Sequence, residues 1–524
     1  MTNDKSLLID VLRKNKDTII FLFLISVGIF IRFINFAKVP SGFNQDEAFA
    51  AYEAFSLMNY GVDSFGYHNP VYFISWGSGM NVLASYLAIT FFRIFGCSEF
   101  AFRLPQLILS VISLAVFYLV LKELFSSRTA LVGLFLLVIS PWHIMMARWG
   151  LESNLAPHFL LFGFYFFIKG IKSNNRFWLL SALMYGVSLY SYAIMWAVVP
   201  LTLVFYIVYI IFSKKKISLK YAFLSAAVLF LLALPLMLFV LVNKDIIPEI
   251  KTSFISVPRI PFLRDGEFSL KNMLSAETYK SVFSVAVLHT DGLIWNSTDY
   301  RLFYVWSIPF QFAGLIRLII SSYKQLKSKI FSHEAFILLS VLVGIIVSLM
   351  ISDINVNKAN SLHYFNLMLI TAGVDALFNI KIKWVRMAKI LVVGAYAVSF
   401  IMFSSYYLRE YGNMVFGSGI SEAVEYTKQQ GYETVYVYSY VIPYPHILFA
   451  DKTPREVYEN AERIQDEVHL DVTAFSNYVF VTNVPMLGFN DAFIIDAGNI
   501  FVFDADFYNI ELFDHYAVVT RKPI

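Results

Sequence analysis

The chain has 524 residues, of which 58% are hydrophobic and 15% are charged. Soluble domains carry about 25% charged residues, so this composition indicates a membrane protein with several spanning helices. The net charge of +4 gives no reason to expect a nucleic-acid partner. The single cysteine, Cys97, excludes an intrachain disulfide and a cysteine-based metal site.

The first membrane-length apolar run, residues 17–36, is followed directly by a segment that contains Asp46 and Glu47. Carboxylates are costly in lipid, so this pair must lie in water or in a cavity at the membrane face. Adjacent carboxylates there suit general-base catalysis or metal binding. The alternative is a helix N-terminus, where acidic side chains favour the helix dipole. We expect the first run to be a retained anchor rather than a cleaved signal peptide.

Basic clusters between the later apolar runs predict the topology, because cytoplasmic loops are enriched in lysine and arginine. Counting the short segment Gly79 to Phe95 as a span would put the basic loop 122–128 outside, so we expect that segment to lie along the outer membrane surface. The pattern then predicts about eleven spans and an outer C-terminus. The predicted spans are residues 17–36, 104–121, 129–146, 156–170, 177–192, 194–212, 221–242, 302–320, 335–351, 362–379 and 388–406.

These spans make residues 1–409 one membrane module, with long outer loops at about 37–103 and 243–301. The tail, residues 410–524, has the pattern of a small soluble α/β domain. We expect this tail to position an acceptor or cover the site, and to be dispensable for the chemical step. The predicted fold class is a polytopic α-helical membrane protein with a small C-terminal extracytoplasmic α/β domain. The tail features are a helix at Ser421–Gln430, strands at Thr434–Tyr440 and Tyr478–Thr482, and Tyr444 and His446 near the entrance of the site.

A second outer loop brings more candidate side chains to the face that carries Asp46. It contains Arg148 and Glu152, which could hold an anionic substrate and a divalent cation. The alternative is an i,i+4 ion pair at a helix end. Arg103, at the outer end of the second span, could pair with Glu99 or contact a lipid phosphate.

A third outer cluster lies between the ninth and tenth predicted spans. Its lysine breaks the pattern of inward-facing lysines, and a cation beside amide and imidazole groups suits phosphate recognition. A solvated loop would have the same composition. The three candidates are Lys358, Asn360 and His363.

Three sequence features together resemble glycosyltransferase family 39. They are the Asp-Glu pair, the run from Phe95 to Pro105, and the segment from Ser140 to Glu152. The resemblance is good over about the first 200 residues. The family belongs to the GT-C membrane glycosyltransferases and includes protein O-mannosyltransferases and aminoarabinose transferases. The resemblance implies a sugar donor linked to a polyprenyl phosphate, used on the extracytoplasmic side of the cell membrane with inversion.

The resemblance also implies roles for individual residues. Asp46 corresponds to the catalytic base, with Glu47 or Glu152 orienting it or holding a divalent ion such as Mg, Mn or Zn, to which Asp46 could also bind. The chain lacks the lysine of a Lys-Pro-Pro motif found in many members, and reads Ser75 to Asn81 there. The acceptor, a glycan, a lipid or a protein, is not identified by the sequence. The candidates for the donor phosphate are Arg103, Arg148, Lys358, Asn360 and His363.

The competing interpretation is a polytopic transporter or a flippase for lipid-linked sugars. Such a protein would place ionisable groups near mid-membrane and broken spans in paired positions. Here the charges cluster at the outer face, with Asp375 as an exception within a span. The enzyme interpretation is therefore favoured, and it predicts sugar transfer from a lipid-phosphate donor by the purified protein.

Overall fold

The computed structural model describes residues 15–263, 265–409, 411, 416–439, 442–465 and 470–523. In the membrane module, long apolar helices pack side by side: α12 lies against α14, and α7 lies against α4 and α8. The helices of this module are α1 Lys16–Phe33, α2 Gln45–Tyr60, α3 Leu83–Phe95, α4 Glu99–Leu124, α5 Ser127–Val138, α6 Pro141–Met146, α7 Glu152–Lys172, α8 Phe177–Ser188, α9 Met195–Phe212, α10 Leu219–Asn243, α11 Ala276–Ala286, α12 Ser307–Lys327, α13 Ala335–Leu349, α14 His363–Asn379 and α15 Lys383–Arg409.

Six helices in the described ranges are long and apolar enough to cross a bilayer, so the chain is a multi-pass membrane protein. They are α4, α7, α9, α10, α14 with the short turn before it, and α15. Each predicted span overlaps a helix. The segment expected to lie on the surface forms α3, whose 13 residues rise about 20 Å, less than the roughly 30 Å of a hydrocarbon core.

The third predicted span, 129–146, is not one helix but two. Helix α5 ends at Val138, and α6 begins at Pro141 after a cap in which the Ser140 hydroxyl accepts from the backbone N–H of His143. Proline cannot donate the hydrogen bond that would continue the helix, so the break follows from the sequence Ser140-Pro141. The carbonyl groups freed at this break need other donors, and a buried arginine supplies them, as described below.

Loops predicted to share a side of the membrane do lie together. Lys172 forms an ion pair of 3.4 Å with Glu123, which joins the loop after α7 to the loop after α4. Asn175 accepts from the backbone N–H of Ser218 at 3.0 Å, which adds the loop before α10. Three basic loops thus lie together at one end of the bundle, and Arg103 and Glu152 lie at the opposite ends of α4 and α7.

The tail forms a seven-stranded mixed sheet in the order β4-β5-β6-β3-β7-β9-β8, with β3 parallel to β6 and β7. Helix α17 packs against α2 of the membrane module. This junction is tight: Gly42 has φ +74°, and a Cβ there would lie 2.4 Å from the backbone nitrogen of Ser418. The tail elements are α16 Ile420–Gln430, β3 Thr434–Val437, α17 Tyr444–Asp451, α18 Arg455–Glu459, β4 Glu462–Gln465, β5 Leu470–Phe475, β6 Tyr478–Phe480, β7 Asp491–Asp496, β8 Tyr508–Phe513 and β9 Tyr516–Arg521; the two-stranded hairpin of the membrane module is β1 Ile250–Lys251 and β2 Ser256–Val257.

Candidate active site

The Asp-Glu pair lies in the first turn of α2, which begins with a capping box. Asn44 accepts from the backbone N–H of Glu47 at 2.9 Å, and its own N–H donates to Glu47 Oε2 at 3.2 Å. This arrangement satisfies two groups at the helix start. Glu47 is fully buried, whereas Asp46 is partly exposed. Both acidic residues lie in the first turn, but only Glu47 takes part in the capping box, and Asp46 keeps part of its surface accessible.

Glu47 is held by Arg103 from the start of α4. Arg103 donates Nε to Glu47 Oε1 and Nη2 to Glu47 Oε2, both at 2.7 Å. The guanidinium also donates to the carbonyl oxygens of Pro40 at 2.8 Å and Gly42 at 2.6 Å. Its ion-pair partner is Glu47, not Glu99 as the spacing suggested. Because all three of its nitrogens are engaged within the protein, this geometry argues against Arg103 as a phosphate ligand.

The second outer loop also reaches Glu47. The backbone N–H of Gly150 donates to Glu47 Oε1 at 2.7 Å. A Cβ at Gly150 would lie 2.8 Å from the ring of Phe102 and 3.1 Å from Glu47 Oε1, so only glycine allows this approach without a shift. The buried carboxylate therefore joins both outer loops and positions its neighbour Asp46.

Glu152 begins α7, where its Oε2 accepts from the backbone N–H of Asn81 at 2.5 Å. The loop between α8 and α9 contributes Tyr192. Burial raises the pKa of the Tyr192 phenol, and the negative charges of Glu152, Glu267 and, more weakly, Asp46 raise it further. The charges of these three carboxylates therefore all reach one tyrosine. Glu267 and Tyr192 were not among the sequence candidates, because neither lies in a distinctive motif.

Arg148 lies in the non-helical link between α6 and α7, so it does not share a helix with Glu152, as the alternative of an i,i+4 pair requires. Its Nη2 donates to the carbonyl of Ile34, and its guanidinium carbon lies 5.8 Å from the ring centre of Tyr407. The residue is fully buried, and its Nε and Nη1 have no partner among the described residues. Burial lowers the pKa of this guanidinium, and the nearby Arg103 lowers it further. Buried charged donors without partners suit an anionic ligand.

Lys358 is the third cation of the predicted phosphate set, after Arg103 and Arg148. Its Nζ lies 3.4 Å from Glu267 Oε2 and donates to the carbonyl of Ser352 at 3.2 Å. About a fifth of its side chain is exposed, at 21%. Through Glu267 it borders the group of carboxylates around Tyr192.

Asn360 and His363 do not suit a phosphate. Asn360 donates Nδ2 to the carbonyl of Ser153 at 3.0 Å and to Asn154 Oδ1 at 3.4 Å, which leaves only an acceptor, Oδ1. His363 Nε2 must donate to the carbonyl of Val356, 2.9 Å away, so its buried Nδ1 is an acceptor in the neutral ring. An acceptor does not favour an anion, so this geometry argues against both predicted assignments as phosphate ligands.

The metal prediction finds no complete ligand set. The described part of the chain contains no group of three or more His, Cys, Asp or Glu side chains that could hold a metal ion. Asp46 and Glu152, the predicted ligands, therefore lack a third protein ligand of these types in those ranges. No step below depends on a metal.

A buried polar chain lies within the helices beneath these loops. Arg32 Nη2 contacts His143 Nδ1 at 2.6 Å, His143 Nε2 contacts the Tyr364 hydroxyl at 2.9 Å, and that hydroxyl contacts His158 Nδ1 at 3.2 Å. An arginine within the first apolar run was a signal for this cluster, since charges in spans are usually functional or paired. Arg32 also donates to the carbonyl groups freed at the end of α5, those of Leu137 and Val138.

Comparison with known proteins gives the class. Residues 81–239 match a family model described as dolichyl-phosphate-mannose-protein mannosyltransferase. No curated protein sequence matches the chain. The structure resembles ArnT from Cupriavidus metallidurans in the apo state, with a TM-score of 0.58 and 11% identity, over 95% of this chain and 97% of that chain. The same protein bound to undecaprenyl phosphate gives a TM-score of 0.56 and 12% identity over the same shares.

The Archaeoglobus fulgidus oligosaccharyltransferase in the apo form has a TM-score of 0.55 and 15% identity over 83% of this chain. This chain spans 64% of the length of that protein. The matches confirm the prediction at the level of fold: the chain has a membrane fold similar to that of the GT-C glycosyltransferases, and residues 81–239 match one family model of that kind.

Proposed function

We propose that the protein transfers a sugar from a polyprenyl-phosphate donor to an acceptor hydroxyl, with inversion and with Asp46 as general base. The observation that carries this proposal is the unequal environment of the Asp46–Glu47 pair. Glu47 is buried and bound by Arg103 at two points, and Asp46 beside it is partly exposed. Two carboxylates in different environments are suited to two different roles.

In this mechanism Asp46 accepts the proton of the acceptor hydroxyl as that oxygen attacks the anomeric carbon. The bond between this carbon and the phosphate oxygen breaks, and its electron pair leaves with the lipid phosphate. A positioned base of this kind contributes about 10²–10⁴-fold to the rate. Glu47 takes no proton in this scheme, because its charge is needed by Arg103.

Arg148 and Lys358 are the proposed contacts of the departing phosphate. The unpaired Nε and Nη1 of Arg148 are donors that suit two phosphate oxygens. The structure of ArnT with undecaprenyl phosphate supports a lipid-phosphate donor for this fold. A structure of the archaeal oligosaccharyltransferase holds zinc and sulfate, but the incomplete ligand set here leaves a metal out of the proposal.

The proposed topology has eleven spans, with the candidate site and the tail on the extracytoplasmic face of the cell membrane. The gathering of basic loops at the opposite end of the bundle supports it, because such loops are typically cytoplasmic. The polyprenyl chain of the donor would then lie among the spans, in contact with membrane lipids.

The test is transfer by the purified, full-length protein in lipid nanodiscs. The probes are undecaprenyl phosphates that carry radiolabelled mannose, glucose or aminoarabinose, and release of sugar from the lipid is the readout. Asp46→Asn is expected to lower the rate at least 10²-fold while thermal stability and binding of undecaprenyl phosphate stay unchanged. The exposed Asp17 on α1 gives the matched control, Asp17→Asn. Wild-type turnover by Asp46→Asn would exclude Asp46 as the base.

A further inference from the structure

Three side chains around Glu152 have buried polar atoms without a hydrogen-bond partner in the part of the chain that the structure describes. They are Asn81, Ser153 and Asn360, each 1% exposed. The atoms are Oδ1 and Nδ2 of Asn81, Oγ of Ser153 and Oδ1 of Asn360. Buried polar atoms in proteins are almost always paired, so several such atoms side by side indicate a ligand that completes them.

The three residues come from separate segments of the chain, with Ser153 in the first turn of α7, and these segments contact one another. The backbone N–H of Asn81 donates to Glu152 Oε2 at 2.5 Å, and Ser153 follows Glu152 in the chain. The carbonyl of Ser153 accepts from Asn360 Nδ2 at 3.0 Å. Two residues before Glu152, the backbone N–H of Gly150 donates to Glu47 Oε1 at 2.7 Å, so the segment that carries Glu152 and Ser153 contacts the neighbour of the proposed base.

The free atoms offer both donors and acceptors. The Asn81 amide supplies both kinds, the Ser153 hydroxyl also supplies both, and Asn360 supplies an acceptor, because its Nδ2 is already used. A carboxylate ligand would need donors alone, and an ammonium group would need acceptors alone. A hydroxyl group both donates and accepts, so a ligand rich in hydroxyl groups fits this set.

We infer that Asn81, Ser153 and Asn360 form a sugar subsite, which binds hydroxyl groups of a neutral sugar carried by the lipid-phosphate donor. This inference rests on the proposed function and adds the class of sugar. The carboxylates of Asp46 and Glu152 nearby would repel an acidic sugar. Different residues would therefore bind the two parts of the donor: these three side chains bind the sugar, and Arg148 and Lys358 bind the lipid phosphate.

The experiment measures affinity for lipids with and without a sugar. The full-length protein in nanodiscs is titrated with undecaprenyl phosphate and with undecaprenyl phosphates that carry mannose, glucose, galactose or galacturonic acid. The variants are Asn81→Leu, Ser153→Ala and Asn360→Leu. The control is Asn59→Leu, an exposed asparagine in the same outer loop as Asn81.

We expect the wild type to bind at least one neutral glycolipid more tightly than the bare lipid, and to bind the galacturonic acid lipid no more tightly than the bare lipid. Each site variant should lose about three- to tenfold in affinity for the neutral glycolipid, the effect of one or two hydrogen bonds, and keep its affinity for the bare lipid. Asn59→Leu should change neither affinity. Ser153→Ala removes a single oxygen, so it provides a readout even where a larger substitution impairs folding.

Several outcomes would overturn the subsite. An equal loss of affinity for the neutral glycolipid and for the bare lipid would indicate a structural role for these residues. Unchanged preference for the glycolipid in all three variants, or tighter binding of the galacturonic acid lipid, would exclude recognition of a neutral sugar here. If the wild type transfers sugar while either of these results is found, the subsite is excluded and the proposed function is retained. Absence of transfer and of binding by the wild type, with every lipid, would overturn the subsite and the proposed function together.

Discussion

Arg103 and Glu47 form a two-point ion pair, with Nε–Oε1 and Nη2–Oε2 distances of 2.7 Å, and neither side chain is exposed to solvent. The pair joins the start of α4 to the start of α2. Because two carbonyl groups of the first outer loop also bind the guanidinium, one side chain fixes the backbone on which Asp46 is carried. A buried pair of this kind specifies geometry more than it adds stability.

Removal of one partner of this pair should be costly. Glu47→Ala leaves a buried, uncompensated arginine, which typically destabilises a protein by about 3–5 kcal/mol. We expect a clear fall in thermal unfolding temperature in detergent and loss of sugar transfer. The control is Glu99→Ala, since Glu99 is the partner that helical spacing alone suggests for Arg103. Equal destabilisation by the two substitutions would contradict the assigned pairing.

Arg148→Met should weaken binding of undecaprenyl phosphate. Hydrogen bonds to charged groups contribute about 1.5–3 kcal/mol, so the loss is expected to be about 10- to 100-fold in affinity. The matched control is Arg93→Met, because Arg93 is an arginine exposed on α3. Binding is measured by titration in nanodiscs. Unchanged affinity in Arg148→Met would show that the unpaired donors of Arg148 serve another purpose.

A pH dependence of stability follows from two buried carboxyl groups of the first outer loop, Glu53 and Asp63. Burial raises the pKa of Asp63 to about 7, and burial together with the charge of Asp63 raises the pKa of Glu53 well above its usual range. The unfolded Asp63 has a pKa of about 3.9, so between about pH 4 and 7 the folded state binds more protons. The stability that protonated Asp63 contributes is therefore fully present below about pH 4 and is lost as the pH rises to about 7.

A difference of one bound proton between the folded and unfolded states changes the free energy of unfolding by at most about 1.4 kcal/mol per pH unit. Thermal unfolding between pH 4 and 8 should show this decline in the wild type, and Asp63→Asn should flatten it. The exposed Asp299 provides a control, Asp299→Asn, which should keep the wild-type slope. A slope in Asp63→Asn that matches the wild type would place the titrating group elsewhere.

The proposed topology predicts opposite labelling of two exposed serines, Ser126 before α5 and Ser476 in the tail. In a Cys97→Ser background, Ser476→Cys should react with a membrane-impermeant maleimide added to intact cells. Ser126→Cys should react only after the membrane is opened. Labelling of both from outside would refute the eleven-span arrangement and the shared compartment of Asp46 and Glu152.

Local sequence patterns predicted much of the fold, because hydropathy and basic loops report directly on helices and their ends. The helix of the tail predicted at Ser421–Gln430 begins at Ile420, and the apolar segment before Phe95 is a helix too short to span. The break within the third span was missed. The apolar composition of the span continues across Ser140-Pro141, so hydropathy does not show the break, although the serine and proline there are signals for a helix start.

The pairing of side chains within the candidate site could not be read from local spacing. Arg103 has Glu99 four residues before it, yet its partner Glu47 lies 56 residues away and comes close only when α2 and α4 pack. Arg148 and Glu152 have helical spacing, but they are separated by a helix break and have different partners. Partners distant in sequence depend on tertiary packing, which a single sequence does not specify.

The tail makes hydrogen bonds to the first outer loop, in addition to the expected role of positioning an acceptor or covering the site. The carbonyl of Phe43 accepts from the backbone N–H of Gly417 at 2.7 Å and from His446 Nε2 at 3.0 Å. Gln45 Oε1 accepts from the backbone N–H of Ile442 at 3.2 Å. These contacts flank Asn44, which caps the helix that carries Asp46. Burial lowers the pKa of His446, so a neutral ring donates this hydrogen bond near pH 7.

His446→Leu removes one donor and should loosen the start of α2 without touching the donor lipid. A misplacement of the base lowers turnover more than binding, so we expect kcat to fall about tenfold, with the affinity for undecaprenyl phosphate unchanged. His515→Leu alters a partly exposed histidine of the same domain and should leave kcat at the wild-type value. Wild-type kcat in His446→Leu, together with transfer by a chain ending near Tyr411, would show that the tail is dispensable for the chemical step and that the membrane module alone holds Asp46 in place.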